Sequence, residues 1–174
     1  VLAPKDFIRP DLLQQMDRLK VPVFLLNAAS LEDVFAEIHT VARMVERSSA
    51  GEELVDRLRQ RLAVVKEQVR SYPHPRVLYV LNTDPLQTVG PGSFIHQLIE
   101  LAGGRNIAAD IQAAYPRLSL EGVIAHDPEY LVFPAGAGEG IPDEERQQWR
   151  RWPSLSAVKH NRLVSVQDWS VSSP

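Results

Sequence analysis

The spacing of apolar residues changes several times along the chain, and each change of period marks a different element. Leu12, Leu13, Met16 and Leu19 share one helical face, and Pro10 suits the first helical position because its missing N–H would be unpaired there anyway. A helix over residues 10–20 is therefore expected, followed by a buried strand over 21–26 in which Pro22 is tolerated only near the start. Leu31, Val34, Phe35, Ile38, Val41, Ala42 and Val45 repeat at helical spacing, and Ser30 with Asp33 three residues on is a start signal for that second helix. Beyond Ser48-Ser49-Ala50-Gly51, the positions Leu54, Leu58, Leu62, Val65 and Val69 predict a helix over 52–72, about 30 Å long at ~1.5 Å per residue.

Tyr72-Pro73-His74-Pro75 stops that helix, since two prolines remove donors and push their predecessors out of the helical region, and it predicts a domain boundary. The pattern then gives a strand over 76–82, a loop over 83–92, a helix over 93–102 closed by Gly103-Gly104, and a loop to 117. A helix over 119–126, a strand over 130–133, a glycine-rich loop, a helix over 142–149 and a strand over 162–167 complete it. Strands separated by helices pair in parallel through right-handed crossovers, so the class is α/β. At the ends, Val1-Leu2-Ala3 resembles the last residues of a strand and Ser172-Ser173-Pro174 stops in a loop. The chain is expected to be a piece of a longer protein.

With 174 residues and 44% apolar content, the chain suffices for one complete domain, or one domain plus part of another. The balance of 19 Lys+Arg against 22 Asp+Glu, with a pI near 6.0, provides no field to draw in nucleic acid or an anionic membrane. Arg57, Arg59, Arg61, Lys66 and Arg70 of the long helix interleave with Glu52, Glu53, Asp56 and Glu67, the pattern of a solvated, salt-bridged face. The absence of cysteine excludes disulfides, Fe–S clusters and thiolate metal sites. No apolar run approaches the roughly 20 residues that cross a bilayer.

In open parallel sheets ligands bind beyond the carboxyl ends of strands, where loops and helix N-termini converge. Three loops qualify. The one after Asn82 carries Thr88-Val89-Gly90-Pro91-Gly92-Ser93-Phe94, with glycines for close approach and Ser93 to cap the next helix. It also suits a plain strand-to-helix connection. The second, Pro134-Ala135-Gly136-Ala137-Gly138-Glu139-Gly140, lacks the Lys-Ser/Thr that holds a nucleotide and Mg²⁺. The third puts Asp168-Trp169 just past a strand, where an indole offers a wide apolar wall and one donor. Trp149 and Trp152 are expected to pack, and Tyr115-Pro116 to sit on a cleft rim. None of the five histidines forms an HxxxH pair, no GxSxG elbow occurs, and His126 is expected to close its helix; no catalytic residue or metal ligand is assigned.

The run Gly90-Pro91-Gly92-Ser93-Phe94-Ile95, then Leu98-Ile99-Glu100-Leu101-Ala102-Gly103-Gly104-Arg105-Asn106-Ile107, then Tyr115-Pro116-Arg117-Leu118-Ser119-Leu120-Glu121, then His126-Asp127-Pro128-Glu129 before an apolar strand, resembles one particular family. It is similar to the C-terminal lobe of the helical-backbone periplasmic binding proteins for cobalamin, haem and ferric siderophores. The resemblance implies a parallel-sheet lobe with flanking helices over 73–174, an interlobe helix over 51–72 and the remnant of a second α/β lobe over 1–50. It implies capture without chemistry or cofactor: a metal chelate, with a corrinoid favoured over haem or a ferric siderophore, is delivered to the membrane permease of a bacterial ABC importer. The location implied is periplasmic, with membrane contact only through the permease or a lipid anchor outside the chain. Strand-end position and the family pattern together assign Gly90, Gly92, Ser93, Tyr115, Pro116, Pro134, Ala135 and Trp169 to the cleft. Glu139 and Glu144 lie near, but not in, a motif for permease docking. A receptor for bare Zn²⁺ or Mn²⁺ would need histidines and carboxylates that these loops lack apart from Asp84 and Asp168, and a flavodoxin or Rossmann enzyme would need a GxGxxG after a strand.

Overall fold

The computed structural model describes residues 1–5, 8–135 and 141–167. The chain divides into two compact units, Val1–Arg59 and Gln60–Pro174.

In the first unit β1 (Leu2–Pro4) and β2 (Phe24–Leu26) pair in parallel, Leu2 opposite Phe24 and Pro4 opposite Leu26, through the crossover helix α1 (Pro10–Arg18). Pro10 opens α1 as expected, but the apolar stripe stays only partly covered and Leu19 is 74% exposed. Helix α2 (Leu31–Met44) starts at a full capping box. The Ser30 hydroxyl accepts from Asp33 N at 3.1 Å, and the Asp33 carboxylate accepts from Ser30 N at 2.9 Å. The Ser30 hydroxyl is the main cause holding the Asp33 carboxyl below its ordinary pKa, with the Ser30 and Ala29 amides adding to it.

Helix α3 covers Ser48–Val69, so it begins four residues before the expected start and includes Ser48–Gly51. Its side chains explain the early start. Gly51 lies so close to α2 that a Cβ there would sit 2.5 Å from Ala42 Cβ, and the missing side chain is what lets the two helices touch. Arg59 pairs with Glu32 at 2.8 Å and stacks on the Phe35 ring at 4.9 Å, which accounts for one of the basic residues of this helix as packing.

The second unit is built on a four-stranded sheet with spatial order β6-β3-β7-β8, formed by β3 (Arg76–Tyr79), β6 (Arg105–Asn106), β7 (Tyr130–Ala135) and β8 (Leu163–Gln167), all neighbours parallel. Two short strands, β4 (Asn82–Thr83) and β5 (Leu86–Gln87), make a separate antiparallel hairpin around the cis Asp84–Pro85 bond. The helices are α4 (Phe94–Leu101), α5 (Leu120–His126), α6 (Asp143–Arg150) and α7 (Ser156–Lys159).

The strand pattern was expected as one run over 76–82. The sheet ends earlier because the pairing partner changes: Val80 N still donates to Val132 O at 2.8 Å, while Leu81 N turns to Gln87 O at 2.9 Å. β6 and α7 were not expected; two and four residues are too short to establish a period.

Alternation sends side chains to two faces. Leu78, Leu131 and Phe133 face α5, α6 and α7, where they pack with Val123, Trp149 and Leu155 in the main core. Trp149 meets Phe133 edge to face at 6.5 Å, as its expected packing role requires. Val77 faces the other way and packs with Val89 and Ile99 of the α4 side. α4 lies on that side, and an apolar depression of about 680 Å³ runs across Tyr79, Leu98, Tyr130, Val132, Val164 and Val166.

At the amino ends of the strands Asp127 ties three elements together. It closes α5 in the left-handed conformation, φ 43°, and accepts Ser156 N at 2.8 Å and the Ser156 hydroxyl at 2.7 Å at the start of α7. Its carbonyl accepts from Arg76 Nε of β3 at 2.8 Å. The Ser156 hydroxyl, then the Ser156 amide, and then the charges of Arg76 and His160 hold the Asp127 carboxyl below its usual range. His126 takes its expected place at the end of α5, Nδ1 bonded to Gly122 O at 2.8 Å.

Candidate functional site

The order of strands locates the site before any side chain is considered. β3 crosses to β6 through α4 on one face, while β6 returns to β7 through α5 on the other, and β7 continues outward to β8 by the same side. Connections therefore reverse direction between the adjacent strands β3 and β7. Loops leaving two such strands diverge and leave a crevice at their carboxyl ends, the position at which open α/β sheets bind ligands.

The loop after β3 is held by a ladder of backbone bonds to the segment before α5. Thr88 N donates to Pro116 O at 3.0 Å, Gly90 N to Ala114 O at 2.9 Å, and Leu118 N to Leu86 O at 3.1 Å. Two side chains add to it: Gln87 Nε2 donates to Tyr115 O at 3.2 Å, and the buried Thr88 hydroxyl donates to Tyr79 O at 2.6 Å. Gly90 is required by the closeness of this contact, because a Cβ on it would fall 2.4 Å from Ala113 O. Gly92 is exposed and left-handed at φ +95°. Ser93 is 1% exposed; its hydroxyl accepts from His96 N at 3.2 Å as the cap of α4 and donates to Gly90 O at 3.1 Å.

The structure thus brings Gly90, Gly92, Ser93, Tyr115 and Pro116 into one rim. Their roles within it differ. Ser93 and Pro116 are buried and shape the backbone, Gly92 is at the surface, and Tyr115 is half-buried against the Val77, Val89 and Ile99 cluster. Pro134, exposed, and Ala135 end β7 in register with Val166 and Gln167 of β8. Trp169, Asp168 and Glu139 lie outside the described residues. Glu144 is exposed in the first turn of α6, and Asp84 is exposed in the hairpin turn.

Sequence reasoning placed Asn106 in the family motif but not in the cleft, and the structure makes it a node of this rim. Its amide Nδ2 donates to Val89 O at 2.8 Å and contacts His96 Nδ1 at 3.0 Å, while Oδ1 accepts from Ala108 N at 3.0 Å. The only signal available was an asparagine two residues after a glycine pair. A hollow of about 190 Å³ also opens beside the hairpin, between Thr83, Leu86, Leu120 and Trp152. Trp149 lines it with an indole N–H that is buried and finds no acceptor among the described residues.

Among the described residues no group of three or more His, Asp or Glu side chains converges as a metal site would need, and no helix is long and apolar enough to cross a membrane. The broad apolar depression lies over the sheet face and not at the strand tips, and it has the lining of a packing surface.

A family model described as "Periplasmic binding protein" matches residues 1–168. The chain belongs to that family. The periplasmic binding protein chain is 34% identical over 137 residues to a cobalamin-binding protein of Halobacterium salinarum, covering 76% of this chain and 36% of that protein. It is 26% identical over 159 residues to a vitamin B12-binding protein of Vibrio parahaemolyticus, covering 90% of this chain and 56% of that one. Its fold superposes with TM-score 0.82 on a periplasmic haem-binding protein of Pseudomonas aeruginosa, at 22% identity, over 95% of this chain and 62% of the other. The chain spans little more than half the length of the Vibrio relative and about a third of the Halobacterium one. The α/β class, the parallel sheet with helices on both faces and the membership expected from the Gly90–Asp127 motifs all agree with these findings.

Proposed function

We propose that this chain is part of the substrate-binding component of an ABC import system, which captures a metal chelate outside the cytoplasm and hands it to a membrane permease, and that the chelate is a corrinoid. The observation that carries the reading is the rim at the β3–β7 switch point: a crevice edge made of backbone and small residues, locked by the bonds between 86–90 and 114–118 before any ligand arrives. A binder gains affinity when its ordering costs are met in advance, and this rim has little left to order. The two relatives of 34% and 26% identity, named for cobalamin and vitamin B12, favour the corrinoid.

Capture needs no bond to be made or broken, so the roles are those of shape. The Gly90–Ser93 backbone and the ring of Tyr115 would line one side of the crevice and the end of β7 at Pro134 and Ala135 the other. The test is titration of the full-length protein with cyanocobalamin, haemin and a ferric hydroxamate, followed by visible absorbance and calorimetry. Saturable one-to-one binding of cyanocobalamin, tighter than that of the other two, is expected. Tighter binding of haemin or the hydroxamate would replace the corrinoid by that chelate, and no binding of any of the three would overturn the receptor reading.

A further inference from the structure

Two side chains tie the loop that carries Gly90, Gly92 and Ser93 to the sheet: Thr88, whose hydroxyl donates to Tyr79 O, and Asn106, which reaches the residue next to Gly90. Val89 is fully buried, and its carbonyl accepts from Asn106 Nδ2 at 2.8 Å. Asn106 is 5% exposed and lies on the edge strand β6, paired with Val77 of β3. The amide can be oriented only one way, because the opposite setting would put oxygen against the Val89 carbonyl and nitrogen against the Ala108 N–H. Its second Nδ2 hydrogen then faces His96 Nδ1, which must act as acceptor with the ring proton on Nε2. Asn106 N donates to the Glu100 carboxylate at 3.1 Å. Thus β6, α4, the 108 turn and the residue before Gly90 meet in one side chain with every polar group matched.

We infer that Asn106 is a positioning residue for ligand capture, holding Val89 so that the Gly90–Ser93 backbone stands ready at the crevice; the inference rests on the reading that this loop contacts the ligand. Loss of the amide leaves the Val89 carbonyl buried without a donor, and the loop relieves this by opening. One such bond sets the scale: opening of the loop rises about 5- to 150-fold, and affinity falls in proportion to the closed fraction that remains if only the closed loop binds.

The decisive substitution is Asn106→Asp, which keeps the shape and the bond from Ala108 N but sets an oxygen against Val89 O. Amide hydrogen exchange at Gly90, Gly92 and Ser93 and calorimetric affinity for cyanocobalamin are measured in the full-length protein across a range of pH, against wild type at each pH. His96 and Glu100 are the titratable side chains bonded to this residue, and the introduced carboxyl is the new one. At neutral pH, exchange at those three amides rises and affinity falls. As the pH is lowered and the introduced carboxyl gains a proton, it again offers a donor to Val89 O, and the ratio to wild type recovers. A purely structural role predicts that exchange rises alike over the whole unit instead of at these three amides.

Ser119→Ala, which removes the α5 cap bonded to Gly122 N, serves as a destabilised control and leaves loop exchange unchanged. The inference is overturned if Asn106→Asp leaves exchange at those three amides at the wild-type level, or raises it no more than in the rest of the unit, or shows no recovery in acid. If wild type fails to bind cyanocobalamin, the corrinoid reading falls, while the exchange data still decide the role of Asn106.

Discussion

Replacing Gly90 by alanine adds one methyl group at the point where two loops touch. The new Cβ would lie 2.4 Å from Ala113 O and 3.2 Å from Ile111 O, and contacts of this kind stay beyond 3.0 Å, so the two segments must part by at least 0.6 Å. The obstacle is backbone, which has no rotamer through which to yield. Parting them stretches the 2.9 Å bond from Gly90 N to Ala114 O and the 3.0 Å bond from Thr88 N to Pro116 O. Two bonds weakened by about 0.5 kcal/mol each, with overpacking strain of about 1–3 kcal/mol, give a loss of about 2–4 kcal/mol. Gly92→Ala is the reference, since its Cβ would meet nothing nearer than 3.8 Å and the cost comes only from φ +95°, about 1–2 kcal/mol. Urea denaturation followed by circular dichroism measures both. Gly90→Ala is expected to be the more destabilising, with a melting temperature lower than wild type by about 5–15 °C. If it proves as stable as Gly92→Ala, the loop contact is not the tight one described.

Trp149→Phe is expected to change stability by less than about 1 kcal/mol, because it removes an indole donor that has no described acceptor, whereas Trp149→Ala empties the core beside Phe133 at about 3–5 kcal/mol; thermal melts compare the two. The Asp127 carboxyl has a folded pKa below its unfolded value of 3.8, so its stabilisation is fully present above that value and is lost as pH falls through the lower folded value. Acid unfolding of Asp127→Asn should accordingly lack the part of the wild-type decline that falls below pH 3.8, and an identical decline in both proteins would refute the assignment. Ser30→Ala, which dismantles the cap of α2, is expected to cost about 1 kcal/mol in chemical denaturation, and no loss would mean that Asp33 holds the helix start unaided.

Long elements with a clear period were legible in the sequence. Ser30 with Asp33, Pro10, the Ser93 cap, and His126 at the end of α5 all stand where local chemistry puts them, because each is satisfied by residues within one helical turn. What escaped depends on partners far along the chain. β6 exists because Arg105 and Asn106 find β3, and the 82–87 hairpin exists because Leu81 finds Gln87; neither is written in a repeat. The start of α3 was placed four residues late for the same reason, since the place of Gly51 in it depends on Ala42 of a neighbouring helix. At the rim, the motif order gave Gly90 to Ser93 and Tyr115-Pro116 as two separate candidates, and only the 88-to-116 and 90-to-114 bonds make them one surface. Asn106 was read as part of the family motif and given no role at the cleft, because a single polar residue between a helix and the next segment gives no hint that its amide reaches back to Val89.

The reversal of connections between β3 and β7 has a consequence for how such a protein diversifies. The gap at the strand tips is a by-product of chain routing, so no core residue has to be sacrificed to create it. Loops bordering it can lengthen, shorten or exchange residues while Leu78, Leu131 and Phe133 go on packing beneath them. New cargo can therefore be tried at small thermodynamic risk, and one scaffold can be retuned for differently shaped molecules by editing its margins alone.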